Sequence, residues 1–153
     1  MKIEVCLDFN LPAENIFDYL VDIDNWVEWS SATIAVRKTT PGKISVGAAW
    51  RCTSRFLGRW FETAYEVIEH EPCHFFMLKS ISGVAPCTFS YKLEPGEGGM
   101  TMLSLEAVVN HVEGLLNVEA SVVENTIRRQ IEGDLLTLRD ILEARTSITS
   151  NSI

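Results

Sequence analysis

Near the end of the chain, Val123, Ile127, Ile131, Leu135, Leu138 and Leu142 recur at intervals of 4, 4, 4, 3 and 4. With 3.6 residues per turn, that spacing puts all of them on one face of an α-helix. The stripe predicts a helix of about 27 residues. A helix with one apolar face draws most of its stability from what it packs against. The rest of the chain must therefore supply a broad apolar surface.

Upstream, the pattern has period two. Residues 2–10 place Ile3, Val5, Leu7 and Phe9 on one side and Lys2, Glu4, Cys6 and Asp8 on the other, a strand with one buried face. Pro12 suits the first turn of a helix over 12–21, with Glu14 and Asp18 near its positive end and Ile16, Phe17 and Leu20 at helical spacing. Asp24 is placed to cap a second short helix ending at Trp29. From 33 to 110 alternation returns, cut at Pro41-Gly42, Gly47, Gly58, Pro72, Gly83 and the PGEGG run at 95–99. PGEGG lacks a following helix or a Lys-Ser/Thr pair, so it reads as a hairpin turn and not a phosphate loop. The segments between these cuts suit six strands in an antiparallel meander. The expected fold class is α+β, with a seven-stranded curved antiparallel sheet around a long C-terminal helix and two short helices after the first strand. A single domain is expected over 1–145, with a frayed tail over 146–153.

Composition narrows the function classes. The 153 residues are 46% hydrophobic and 22% charged, as in ordinary folded domains. No apolar run approaches the roughly 20 residues that span a bilayer. The alternating N-terminus reads as a strand and not as a signal peptide. Cys6, Cys52, Cys73 and Cys87 form no CxxC pair, which favours free thiols and a cytoplasmic location over a disulfide framework. The net charge is −8, and Glu4, Asp8, Glu14, Asp18, Asp22, Asp24 and Glu28 crowd the first thirty residues against Lys2 alone. Such a field repels phosphates, so neither a nucleic-acid partner nor stable membrane insertion is expected. No GxSxG, HExxH, P-loop or dinucleotide fingerprint occurs, and no cofactor is expected.

The segments LPAENIFDYLVDIDNWVEW, VGAAWR, LGRWFETAYEVIEHEP, FSYKLEPGEGGMTMLSLE and DLLTLRDILEA, taken in order, resemble the START-like (SRPBCC) superfamily. The likeness is to its polyketide cyclase/dehydrase and lipid-transport branch and extends over nearly the whole chain. The resemblance implies a helix-grip fold with a cavity between sheet and long helix that holds lipids, polyketides or other hydrophobic molecules. It does not imply one activity, because carriers, sensors, cyclases and oxygenase subunits share the fold.

Strand parity indicates what would face such a cavity. Trp50, Cys52 and Ser54 share a face opposite Arg51 and Thr53, and Phe61, Thr63, Tyr65 and Val67 oppose Trp60, Glu62 and Glu66. Phe76, Leu78 and Ser80 oppose Met77 and Lys79, while Phe89, Tyr91 and Leu93 oppose Ser90, Lys92 and Glu94. Leu103, Leu105 and Ala107 oppose Ser104 and Glu106. Charges keep to one parity, so the other faces inward. Trp50, Cys52, Ser54, Phe61, Thr63, Tyr65, Phe76, Leu78, Phe89, Tyr91, Leu103 and Leu105, with Val123, Ile127 and Ile131 of the helix, are the expected ligand contacts. Parity cannot say whether these side chains leave a hollow or fill it.

The inward strand faces carry no group that titrates near neutral pH except Cys52, which suits binding better than acid–base work. The helix differs. Asp134 projects within its stripe, and Glu124 lies at the edge, where Arg128 can pair with it. Tyr65, Tyr91, Asp134 and His111 are the weak catalytic candidates. His70, Cys73 and His74, between Glu69 and Glu71, have suggestive metal-ligand spacing, but the Pro72 turn would splay them on an exposed bend, so no metal is expected. Trp26 and Trp29 read as packing anchors.

Phe56, Leu57, Trp60, Ile81, Val84, Leu115 and Leu116 place large apolar groups beside glycines, as an apolar cavity mouth or as the interface of a homodimer. The first functional expectation is a carrier or sensor of a small hydrophobic molecule. The alternatives are a polyketide cyclase/dehydrase-type enzyme using the same cavity and a protein-interaction module using its mouth.

Overall fold

The computed structural model describes residues 1–110 and 117–151, with side chains through Thr146. The first strand, β1 (Lys2–Phe9), buries Ile3 and Phe9 and turns Lys2, Glu4, Cys6 and Asp8 to water. Helix α1 (Ala13–Val21) starts after Pro12, whose φ of −63° is already helical, and buries Ile16, Phe17, Tyr19 and Leu20. A 3₁₀ turn over Ile23–Asn25 leads into α2 (Trp26–Trp29). The capping carboxylate is Asp22, not Asp24 as the sequence suggested. Its Oδ1 accepts the Asp24 backbone N–H at 3.2 Å, because the helical path begins earlier, as the tighter turn.

The strands β2 (Thr33–Lys38), β3 (Ala49–Phe56), β4 (Arg59–Glu71), β5 (Phe75–Ser82), β6 (Cys87–Pro95) and β7 (Thr101–Val109) follow in a meander. They form one antiparallel seven-stranded sheet in the order β1-β7-β6-β5-β4-β3-β2. The first strand thus closes beside the last, with Lys2 opposite Val108 and Phe9 opposite Thr101. The register of β4 and β5 slips between Val67 and Glu69. One extra residue reverses parity beyond it, so His70 turns inward and meets the Phe17 ring edge-on at 5.4 Å. The expected exposed bend therefore holds only for part of the His70–His74 group. His74 is exposed, its Nδ1 2.8 Å from the Pro72 carbonyl oxygen, whereas His70 packs among aromatics.

Helix α3 (Ala120–Asn151) lies across the sheet with Val123, Ile131, Leu135, Leu138 and Leu142 buried. It is tied to β1 and the turn after it. Arg128 and Arg139 donate to the carbonyls of Glu4 and Asp8 at 3.3 and 3.4 Å, and the Glu143 carboxylate accepts the Asn10 N–H at 3.1 Å. Beside α1 and α2, the Tyr19 hydroxyl donates to Glu28 at 2.5 Å, and Arg145 reaches the same carboxylate at 3.3 Å while lying over the Tyr19 ring. Burial, with Glu28 as the next cause, pushes the Tyr19 hydroxyl up to about 12. The backbone stays helical to Asn151, past the residue 146 where fraying was expected, since no Gly or Pro after Gly133 interrupts it. Among the described residues no helix is long and apolar enough to cross a membrane.

The β3–β4 turn is unusual. Leu57 and Gly58 both have positive φ, +48° and +76°, between the paired residues Phe56 and Arg59. A two-residue turn of this hand favours Asn-Gly, and a branched residue there is strained. Leu57→Asn is expected to raise the unfolding free energy by about 1 kcal/mol, read by denaturant melts.

Candidate functional site

Parity and curvature leave a hollow of about 230 Å³ between the concave sheet and α3, partly open to solvent. Most of its wall is apolar. Phe61, Phe89, Leu105, Ile127 and Ile131, all expected from the sequence, line it, as do Cys52, Ser54, Thr63, Tyr65 and Tyr91. Of the expected mouth residues, Phe56 and Val84 line it.

Other expected contacts sit elsewhere. Trp50, Phe76, Leu78, Leu103 and Val123 have no exposed surface and fill the core instead of facing the space. Trp50 packs against Trp26 and Tyr65 at 5.7 and 5.9 Å between ring centroids, and Phe76 against Phe17 of α1 at 6.5 Å. Parity sets the side of the sheet but not the depth below α1 and α3. Leu57, Trp60 and Ile81 are exposed and do not line the hollow. Trp60 and Ile81 stand on the outward parity of their strands, and Leu57 is at a turn tip. His111, Leu115 and Leu116 lie outside the described residues. Glu124 sits away from the space and pairs with Arg128 at 3.8 Å.

The wall also includes residues the sequence reasoning missed. Cys87 is two before Phe89 and so shares its face, and Gln130 lies one turn before Asp134 on α3; both were legible by period. Trp26, Trp29, Ser30, Ala32 and Thr33 were not, because nothing local shows that α2 and the start of β2 close over the sheet.

The polar groups are few and mostly neutral. Burial pushes the Cys52 and Cys87 thiols up and the Tyr65 and Tyr91 hydroxyls further, Tyr65 also through Cys87 and Tyr91 also through the nearby Asp134 charge. At neutral pH these thiols are protonated and poor nucleophiles, and both tyrosines are hydrogen-bond donors. Asp134 is only 9% exposed; its Oδ1 accepts the Ser31 N–H at 3.0 Å. Burial raises its pKa, and the Ser31 contacts lower it only in part. A carboxyl with a raised folded pKa binds its proton more tightly folded than unfolded. Its unfavourable contribution is therefore absent at low pH, grows as pH rises above the unfolded value near 3.9, and is complete above the folded value. Asp134→Asn, which keeps an acceptor for Ser31, is expected to be more stable than the parent at pH 7, with the difference shrinking toward pH 3 in parallel urea melts.

The model of the family described as polyketide cyclase / dehydrase and lipid transport matches residues 1–143. The chain belongs to this family. Three solved structures share its fold with TM-scores of 0.78. A START superfamily protein from Mycobacterium smegmatis is 14% identical, over 94% of this chain and 97% of that one. The Zhui aromatase/cyclase of a Streptomyces species is 15% identical, over 95% of each chain. A Thermus thermophilus protein is 14% identical, over 95% of this chain and 99% of that one. No curated protein matches the sequence. At these identities the likeness establishes a START-like, helix-grip architecture, as the sequence predicted.

Proposed function

We propose that this family member binds a small, largely apolar molecule in the hollow, as a carrier or sensor. The observation that carries this reading is the wall itself. It combines aromatic and aliphatic surface with a few hydroxyl donors, and among the described residues Asp134 is its one carboxylate. Such a lining favours uncharged skeletons and orients them by one or two polar contacts. Size narrows the choice. An apolar cavity of about 150 Å³ takes benzene, so this one suits a skeleton of about two rings, and a long acyl chain would project through the opening. Native mass spectrometry of the purified chain tests the reading. A bound species of a few hundred daltons, released on denaturation, is expected. A ligand-free protein that also fails to take up added 2-naphthalenemethanol would overturn it.

A second reading is an enzyme of the cyclase/dehydrase type, favoured by one observation: Asp134 lies close enough to Tyr91 to raise its pKa, and both line the hollow. A carboxyl and a phenol in the wall of one cavity can pass a proton to and from a bound carbonyl compound. Turnover of an aromatic-polyketide intermediate, lost in Tyr91→Phe while binding persists, supports this reading. Unchanged turnover in that variant removes it.

A further inference from the structure

We propose that the ligand carries a basic nitrogen, held as an ammonium against Asp134 with its ring system among the surrounding aromatics. The inference rests on the binding reading above and deepens it.

Asp134 is buried in the wall of the hollow, and a buried carboxylate ordinarily has a cation or several donors to replace lost water. Here Ser31 alone meets it, through its backbone N–H on Oδ1 at 3.0 Å and through its side chain, and both are neutral donors. Among the described residues no Lys, Arg or His pairs with this carboxyl. The neighbouring arginines of α3 are turned elsewhere, Arg128 to Glu124 and the Glu4 carbonyl, Arg139 to the Asp8 carbonyl. Asp134 lies well inside α3, away from the helix N-terminus, so the helix dipole does not compensate it.

Among the described residues, the other groups that share the hollow with Asp134 are neutral. Tyr91 comes from β6, Tyr65 from β4, Cys52 from β3, Ser30 from the segment after α2, and Gln130 from α3 itself. Among the described residues the space thus holds one negative charge with no cation beside it, and the missing partner is a cation. Trp26, Trp29, Phe89 and the two tyrosines add electron-rich ring faces, which attract an ammonium and stack on an attached aromatic skeleton. A net charge of −8 raises the local concentration of cations and opposes anions. The same carboxylate disfavours ligands that end in a carboxylate, fatty acids included.

Three two-ring probes on the full chain separate the outcomes by isothermal titration: 2-naphthylmethylamine, 2-naphthalenemethanol and 2-naphthoate. At pH 7 the amine is expected to bind at least about tenfold more tightly than the alcohol, and the carboxylate not measurably. In Asp134→Asn the amine is expected to lose its advantage and fall to the level at which the same variant binds the alcohol. Equal affinities for amine and alcohol in the parent protein would overturn the inference while leaving the binding reading intact. An amine advantage that survives Asp134→Asn would also overturn it. Failure of both amine and alcohol to bind would sink the binding reading and this inference with it.

Discussion

Trp50→Ala is expected to lower the unfolding free energy by about 3–5 kcal/mol, the usual cost of deleting a large buried aromatic. For a chain of this length that is a drop of about 10 °C or more in Tm. Trp50 has no exposed surface and links Trp26 of α2 to Tyr65 of β4 through edge and tilted ring contacts. Its removal leaves a void that the sheet and α2 cannot both collapse into, and it releases the short helix that covers the hollow. Trp50→Phe should cost much less. The Trp50 Nε1–H is buried with no partner among the described residues, so phenylalanine removes an unsatisfied donor along with some volume. Calorimetric melts of the two variants check the contrast; equal losses would mean that the indole N–H is satisfied in solution.

The second large effect concerns binding. Ser54→Trp is expected to abolish uptake of 2-naphthalenemethanol, a loss of about 100-fold or more, with the fold retained. Ser54 lies on β3 opposite Phe61, and both line the hollow. Tryptophan suits a strand and projects from that face into open space instead of into packed side chains. An indole occupies much of a volume of about 230 Å³. Titration calorimetry reads the binding, and a retained Tm shows that the fold survives. Undiminished affinity would place the binding site elsewhere.

Period and punctuation carry most of the architecture. The stripe from Val123 to Leu142 makes the long helix unavoidable, and alternation between Gly and Pro breaks yields the strands in order. Parity also separated the water-facing charges from the inward aromatics. Three things lay beyond it. The slip at Val67–Glu69 turned His70 inward, and a bulge leaves no trace in a hydrophobic pattern. Depth was invisible, so Trp50, Phe76 and Leu78 looked like cavity wall when α1, α2 and neighbouring strands had already covered them. The placement of α2 over the sheet depends on contacts far apart in sequence, such as the Ser31 N–H to Asp134, and so Trp26 and Trp29 read as anchors although they also form wall. Asp134 was legible because an acid within an apolar helical stripe is costly unless something meets it.

Soaking crystals of the protein with 2-naphthalenemethanol and solving the structure tests the central claim most directly. The account predicts planar density among Tyr65, Phe89 and Ile127, with the probe's hydroxyl toward Asp134 or Tyr91. A structure in which those side chains interlock and exclude the probe would contradict it.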